Sequence, residues 1–146
     1  MPIVDWELLL EFVEDRFTKM ILLNLKTGGF TVVSSFRPEE DEFVNLEHIV
    51  GIQGIPESLI LEEMERFIES VEDERVKKRL SNALQRKNPI RQVKRVLGFY
   101  PELLERWNQV RTALLASWVL KELSQYDESR LLGNLEELRK LIGEEL

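Results

Sequence analysis

Nine lysine and arginine residues, Arg75, Lys77, Lys78, Arg79, Arg86, Lys87, Arg91, Lys94 and Arg95, fall within residues 75–95 with no acid among them. All 27 acids lie elsewhere, against the remaining 11 of the 20 bases, so the rest of the chain carries −16 while the whole carries −7. Charge segregated in this way raises a local positive potential on an acidic body, the kind of surface that draws phosphates or carboxylates. Arg86, Lys87, Arg91, Lys94 and Arg95, around the junction of two expected helices, together with Arg111, are the candidate anion-binding residues, and the partners they suit are nucleic acid or an acidic protein. The alternative is that these cations pair with acids of residues 62–74 or with acidic helices elsewhere, the commoner use of charge on solvated helix faces. No aromatic residue lies within 75–95. Stacking on unpaired bases therefore has no local support there.

Other residues carry less chemistry. His48 is the one histidine and follows Glu47, but no triad order or HExxH spacing accompanies it, so neither nucleophilic nor zinc chemistry is indicated. With no cysteine, thiolate metal sites, disulfides and cysteine nucleophiles are all excluded. Gly28 and Gly29 lack a following helix whose N-terminus could hold phosphate, and a tight hairpin turn accounts for them. Acids such as Glu62 and Glu63 read as solvated faces, because nothing places two of them in an apolar pocket that would separate their pKa values. No catalytic residue, metal ligand or cofactor is assigned. A competing enzyme reading would place a small anionic substrate on Arg91, Lys94 or Arg111, with Glu65 or Glu69 as base.

These side chains need elements to hold them. Asp5 can cap a helix over residues 5–17 with Trp6, Leu9, Leu10, Val13 and Phe17 on one face. MILLNL and FTVVSS, separated by Lys26-Thr27-Gly28-Gly29, predict a β-hairpin. RPEEDE, residues 37–42, reads as a solvated loop, and residues 46–52 as a third strand shortened by Gly51, Gly54 and Pro56. Helical spacing then takes over: Ile60, Met64, Phe67, Ile68 and Val71, followed by a helix started by Asp73 with Val76, Leu80, Ala83 and Leu84 inward. Asn88 and Pro89 start a short helix to about residue 99. Pro101 opens a long one to about Ser124, with Leu103, Trp107, Val110, Leu114 and Trp118 on one face. Trp107, Arg111 and Trp118 could set a cation over an indole, but core packing is the commoner reading of tryptophans so spaced. Asp127 can cap a last helix carrying Leu131, Leu135, Leu138 and Ile142, weakened at Gly133.

The expected class is α+β: an N-terminal helix and small antiparallel hairpin or sheet, followed by a mainly helical C-terminal bundle, with no βαβ alternation. A length of 146 residues suits one domain, with a helix-plus-hairpin region over 1–56 and a helical region over 57–146. No apolar run approaches the about 18 residues that span a bilayer. No cationic start leads into an apolar stretch and a small-residue cleavage site, so the expected location is the cytoplasm.

MERFIESVEDERVKKRLSNAL (64–84), RQVKRVL (91–97), YPELLERWNQVR (100–111) and Trp118 together resemble the bacterial uncharacterised protein family 0158 over roughly residues 1–125. In that family a Met-x-x-Phe-Ile helix precedes a basic segment of the type GRGAFRRFK and a helix bearing Trp, Arg and a later Trp. Met64, Phe67, Ile68, Arg91, Lys94, Trp107, Arg111 and Trp118 stand at the matching positions. The basic segment here is RKNPIRQVK, whose Ile90 and Val93 replace the two aromatic positions. The family's N-terminal helix and Gly turn are similar to residues 5–35. The resemblance implies a shared fold and no assigned activity.

The functional expectation is a non-enzymatic binding or regulatory module with a basic helical surface. A homodimer through residues 127–146 is a further expectation, raised by leucines at 131, 132, 135, 138 and 141.

Overall fold

The structure, a computed structural model, describes residues 2–34, 47–126 and 132–143. Among them the elements run α1 (Trp6–Glu14), β1 (Thr18–Asn24), β2 (Phe30–Ser34), β3 (Ile49–Gln53), α2 (Glu57–Glu69), α3 (Glu74–Leu84), α4 (Pro89–Leu97), α5 (Pro101–Leu123) and α6 (Leu135–Leu141). This is the α+β class read from the sequence. Two compact units divide the chain, Met1–Ile55 with Leu115–Leu146, and Pro56–Leu114.

In the first unit α1 begins where the Asp5 carboxylate accepts from Leu8 N–H at 3.2 Å, and it buries Trp6, Leu9, Leu10 and Val13. The helix stops at Glu14, three residues short of the expected end. Asp15 Oδ1 accepts from Phe17 N–H at 2.9 Å, an Asx turn that offers the backbone an alternative to further helix. Phe17 consequently leaves the apolar face and lies exposed, with the Arg16 guanidinium 4.6 Å from its ring centroid.

The hairpin forms as expected. Asn24 Oδ1 accepts from Lys26 and Thr27 N–H, Gly28 N–H donates to the Asn24 carbonyl at 2.8 Å, and Gly28 takes a φ of +82°. β3 is real and joins the other side of β1, giving the antiparallel order β2-β1-β3 with Leu22 opposite both Thr31 and Gly51. It starts at Ile49, later than expected, because His48 has a φ of +67°, incompatible with an extended run. Gly51 at its centre leaves room for Met20: a Cβ there would stand 2.8 Å from Met20 Sδ, and the thioether would have to shift. The last residue of β3 is held by α5, with Trp118 Nε1 donating to the Gln53 carbonyl at 2.7 Å and Gln53 N–H donating to Glu122 at 2.9 Å. A polar side-chain clasp thus covers an edge that would otherwise be open to another strand.

C-terminal residues of this unit fasten the segment that precedes α1. Asn134 Oδ1 accepts from Val4 N–H at 3.0 Å and its Nδ2 donates to the Val4 carbonyl at 2.7 Å, while Trp6 Nε1 donates to the Asn134 carbonyl at 2.8 Å. Gly133 N–H donates to the Pro2 carbonyl at 2.7 Å. With Gly133 and Asn134 engaged in these bonds, residues 132–134 are not helical and α6 starts at Leu135. Asn134→Ala should cost about 2–4 kcal/mol, since it orphans a buried N–H and a buried carbonyl together. Urea unfolding curves of the two proteins measure this, and a difference within error would show that water replaces the clasp.

In the second unit α2 buries Ile60, Met64, Phe67 and Ile68, and α3 buries Val76, Leu80 and Ala83. Asp73 caps α3 as expected, accepting from Arg75 N–H at 2.9 Å and Val76 N–H at 3.3 Å. α3 packs against both α2 and α4, and α4 turns Val93 and Leu97 inward. The unit boundary falls within α5. Trp107 is buried on the side of Pro56–Leu114, whereas Leu115, Ala116, Val119 and Leu123 are buried on the other. The expected stripe of Leu103, Trp107, Val110, Leu114 and Trp118 is therefore fully buried only at Trp107, the others being half-buried. Each half of α5 packs into a different unit, and one straight stripe cannot serve both.

The expected acidic loop at 37–42 and the cap at Asp127 lie outside the described residues.

Candidate anion-binding surface

The turn from α3 into α4 decides where the cations point. Helix α3 ends at Gln85, whose N–H is already shared with α3 carbonyls, and Asn88 adopts a left-handed conformation, φ +56° and ψ 59°. The sequence suggested that Asn88 caps α4 with its side chain. It makes no such bond, and its contribution is the sharp backbone turn that few residues other than Gly and Asn tolerate. Pro89 then starts α4 at the position where its missing N–H costs nothing.

Arg86 and Lys87 stand exposed on this turn, and Arg91 and Arg95 stand exposed one helical turn apart on α4, opposite the buried Val93 and Leu97. None of the four has an ion pair with an acid among the described residues. Lys94 and Arg111 are placed differently. Each is half-buried and already engaged by an interaction within the chain, so neither belongs with the exposed four.

On α3 the cations are divided. Lys77 Nζ lies 3.5 Å from Glu69, the pairing with residues 62–74 that the alternative reading expects. Arg79 Nη1 donates to the Tyr100 hydroxyl at 2.6 Å and its guanidinium lies 5.8 Å from the ring centroid. Arg75 and Lys78 are exposed. Arg66, outside the run, donates through Nε to Glu63 at 2.9 Å, and that hydrogen bond together with the Glu63 charge raises the guanidinium above its ordinary pKa.

The residues invoked for an enzyme do not converge. Glu69 is taken by Lys77, Glu65 is exposed, and the open groove of about 520 Å³ in the first unit is lined by Ile3, Leu8, Phe12, Phe30 and Val32 with Asp5, none of them a candidate cation or base. His48 sits exposed in its left-handed turn, where its carbonyl accepts from Leu25 N–H at 2.8 Å.

Phe99 and Tyr100 lie just beyond the 75–95 window, and Phe99 is 71% exposed. The signal that locates Phe99 is the recurrence Arg91, Arg95, Phe99 in steps of four. Leu132 and Leu138, part of the suggested dimer helix, are buried in their own unit.

Fold and surface together define a small, helix-rich α+β protein with exposed arginines at one helix junction that have no acidic partner among the described residues. Residues 29–140 match the model of the Uncharacterised protein family (UPF0158), and the chain belongs to that family. The match starts later than the resemblance suggested and continues past residue 125 into α6. A UPF0158 protein of Pseudomonas aeruginosa is 29% identical over 109 residues, covering 72% of this chain and 71% of its own. No solved structure matches the chain. No helix among the described residues is long and apolar enough to cross a membrane.

Proposed function

We propose that the protein is a non-enzymatic binding module of the cytoplasm, receiving the phosphate backbone of a nucleic acid on Arg86, Lys87, Arg91 and Arg95. One observation carries this reading: those four side chains are exposed and lack an acidic partner among the described residues, although the chain as a whole is strongly acidic. Acids in such excess would neutralise surface cations had they been placed beside them. Arginine predominates at the junction, its planar fork matches phosphate as well as carboxylate bidentately, and a nucleic-acid backbone offers phosphates in a regular row to successive cations.

Affinity for a labelled duplex should fall linearly with salt on logarithmic axes, with a slope of roughly −3 to −4 for four cations that each neutralise one phosphate. Changing Arg86→Gln, Arg91→Gln and Arg95→Gln together should flatten the slope to about −1 while the circular dichroism spectrum is unchanged. An unaltered slope in the triple variant, or no binding by the wild type at low salt, would sink the reading.

A further inference from the structure

We infer that the nucleic acid held by this surface is single-stranded, and that Phe99 is the platform on which one of its bases stacks. The inference rests on the cationic surface proposed above and adds the class of strand to it.

Four large apolar side chains are exposed among the described residues. Ile3, Leu8 and Phe17 belong to the first unit, and Phe99, the most exposed at 71%, belongs to the second. A single exposed apolar residue needs no explanation by itself. The position of Phe99 is what gives it meaning. Beyond Leu97, Gly98 N–H still donates to the Lys94 carbonyl at 3.1 Å, while Phe99 and Tyr100 close tighter turns onto the carbonyls of Val96 at 3.0 Å and Leu97 at 2.9 Å. Phe99 therefore stands just past the end of α4, following Arg91 and Arg95 at the same four-residue interval. Two exposed guanidinium groups lead along the helix to an exposed aromatic face.

The segment that carries the ring also contacts α3, where the Tyr100 hydroxyl accepts from Arg79 Nη1 at 2.6 Å. The Phe99 ring itself has no aromatic or cationic partner among the described residues, which leaves its face open to a ligand. Beyond it, exposed Glu102 and Glu105 on α5 end the cationic stripe.

Charge alone would accept a duplex or an acidic protein equally. An open ring at the end of an arginine stripe suits a polyanion whose flat bases are free to leave their own stack, and that is the combination used on single strands. A duplex keeps its bases inside and would gain from the arginines only.

The test measures fluorescence anisotropy at low salt with a labelled oligothymidylate and with a labelled duplex of equal length, using the whole chain. Phe99→Ala should weaken single-strand binding about tenfold, leave duplex binding unchanged and keep the circular dichroism spectrum, while Phe99→Trp restores the single-strand affinity. If Phe99→Ala binds the single strand as the wild type does while binding stays salt-sensitive, stacking is overturned and the cationic surface stands. Equal losses on strand and duplex would also overturn it, because they would report a distorted surface. Failure of the wild type to bind either probe removes the surface and the stacking platform together.

Discussion

Trp107→Ala is expected to lower the stability by about 3–5 kcal/mol, among the largest effects of any single substitution in the second unit. Trp107 is 0% exposed, and its ring centroid lies 5.5 Å from that of Phe67 on α2, tilted by 58°. Alanine would leave a cavity the size of an indole, which neighbours fixed on helices cannot fill by collapse. The polar atom of the side chain supplies the control. Trp107 Nε1 is buried without a hydrogen-bond partner among the described residues. Trp107→Phe removes that unsatisfied donor along with some packing, and should cost no more than about half as much as the alanine substitution. Guanidinium denaturation of the three proteins reads the effect. Equal losses for phenylalanine and alanine would mean that the indole N–H is bonded in solution.

Gly28→Ala should destabilise the first unit by about 2–4 kcal/mol, from two causes that neighbouring glycines separate. Gly28 has a φ of +82°, where an L side chain is strained, and a Cβ built on it would overlap the backbone carbonyl of Ile3. That carbonyl belongs to the main chain just before Val4, whose N–H and carbonyl are gripped by Asn134, so it has little freedom to retreat. Gly143 has the same backbone strain, φ +85°, with nothing within 4 Å of a Cβ, and Gly143→Ala should therefore cost only about 1 kcal/mol. Gly29 has neither problem, the nearest atom being Thr27 Oγ1 at 3.5 Å, and Gly29→Ala should change stability by about 0.5 kcal/mol or less. Thermal melts of the three variants test the order. If Gly28→Ala is no worse than Gly143→Ala, the collision with Ile3 is relieved by movement and the turn matters for its φ alone.

Both substitutions act at positions whose residue type the sequence marks clearly and whose cost depends on neighbours the sequence does not mark. A glycine in a hairpin turn is expected from local geometry, but the main chain of Ile3 beside it is a tertiary fact. A tryptophan at helical spacing is expected to be core, as Trp107 is. Trp118, eleven residues on, is half-buried and spends its indole N–H on the end of β3.

The sequence by itself determined what depends on near neighbours along the chain. Helical spacing marked α2 and α3, Asn88 with Pro89 marked α4, Asp5 and Asp73 marked helix starts, and the segregated charge of residues 75–95 marked the candidate surface, because each signal spans only a few residues. Tertiary structure alone decided that β3 pairs with β1, that Asn134 grips Val4 across 130 positions with α6 starting only after it, and that α5 changes its buried face at the unit boundary. It also decided which cations remain available: Lys77 finds Glu69 and Arg79 finds Tyr100, while Arg86, Lys87, Arg91 and Arg95 stay exposed. A charged residue has the same formal charge in every fold, and only the packing of helices around it settles whether an acid or a hydroxyl comes within reach.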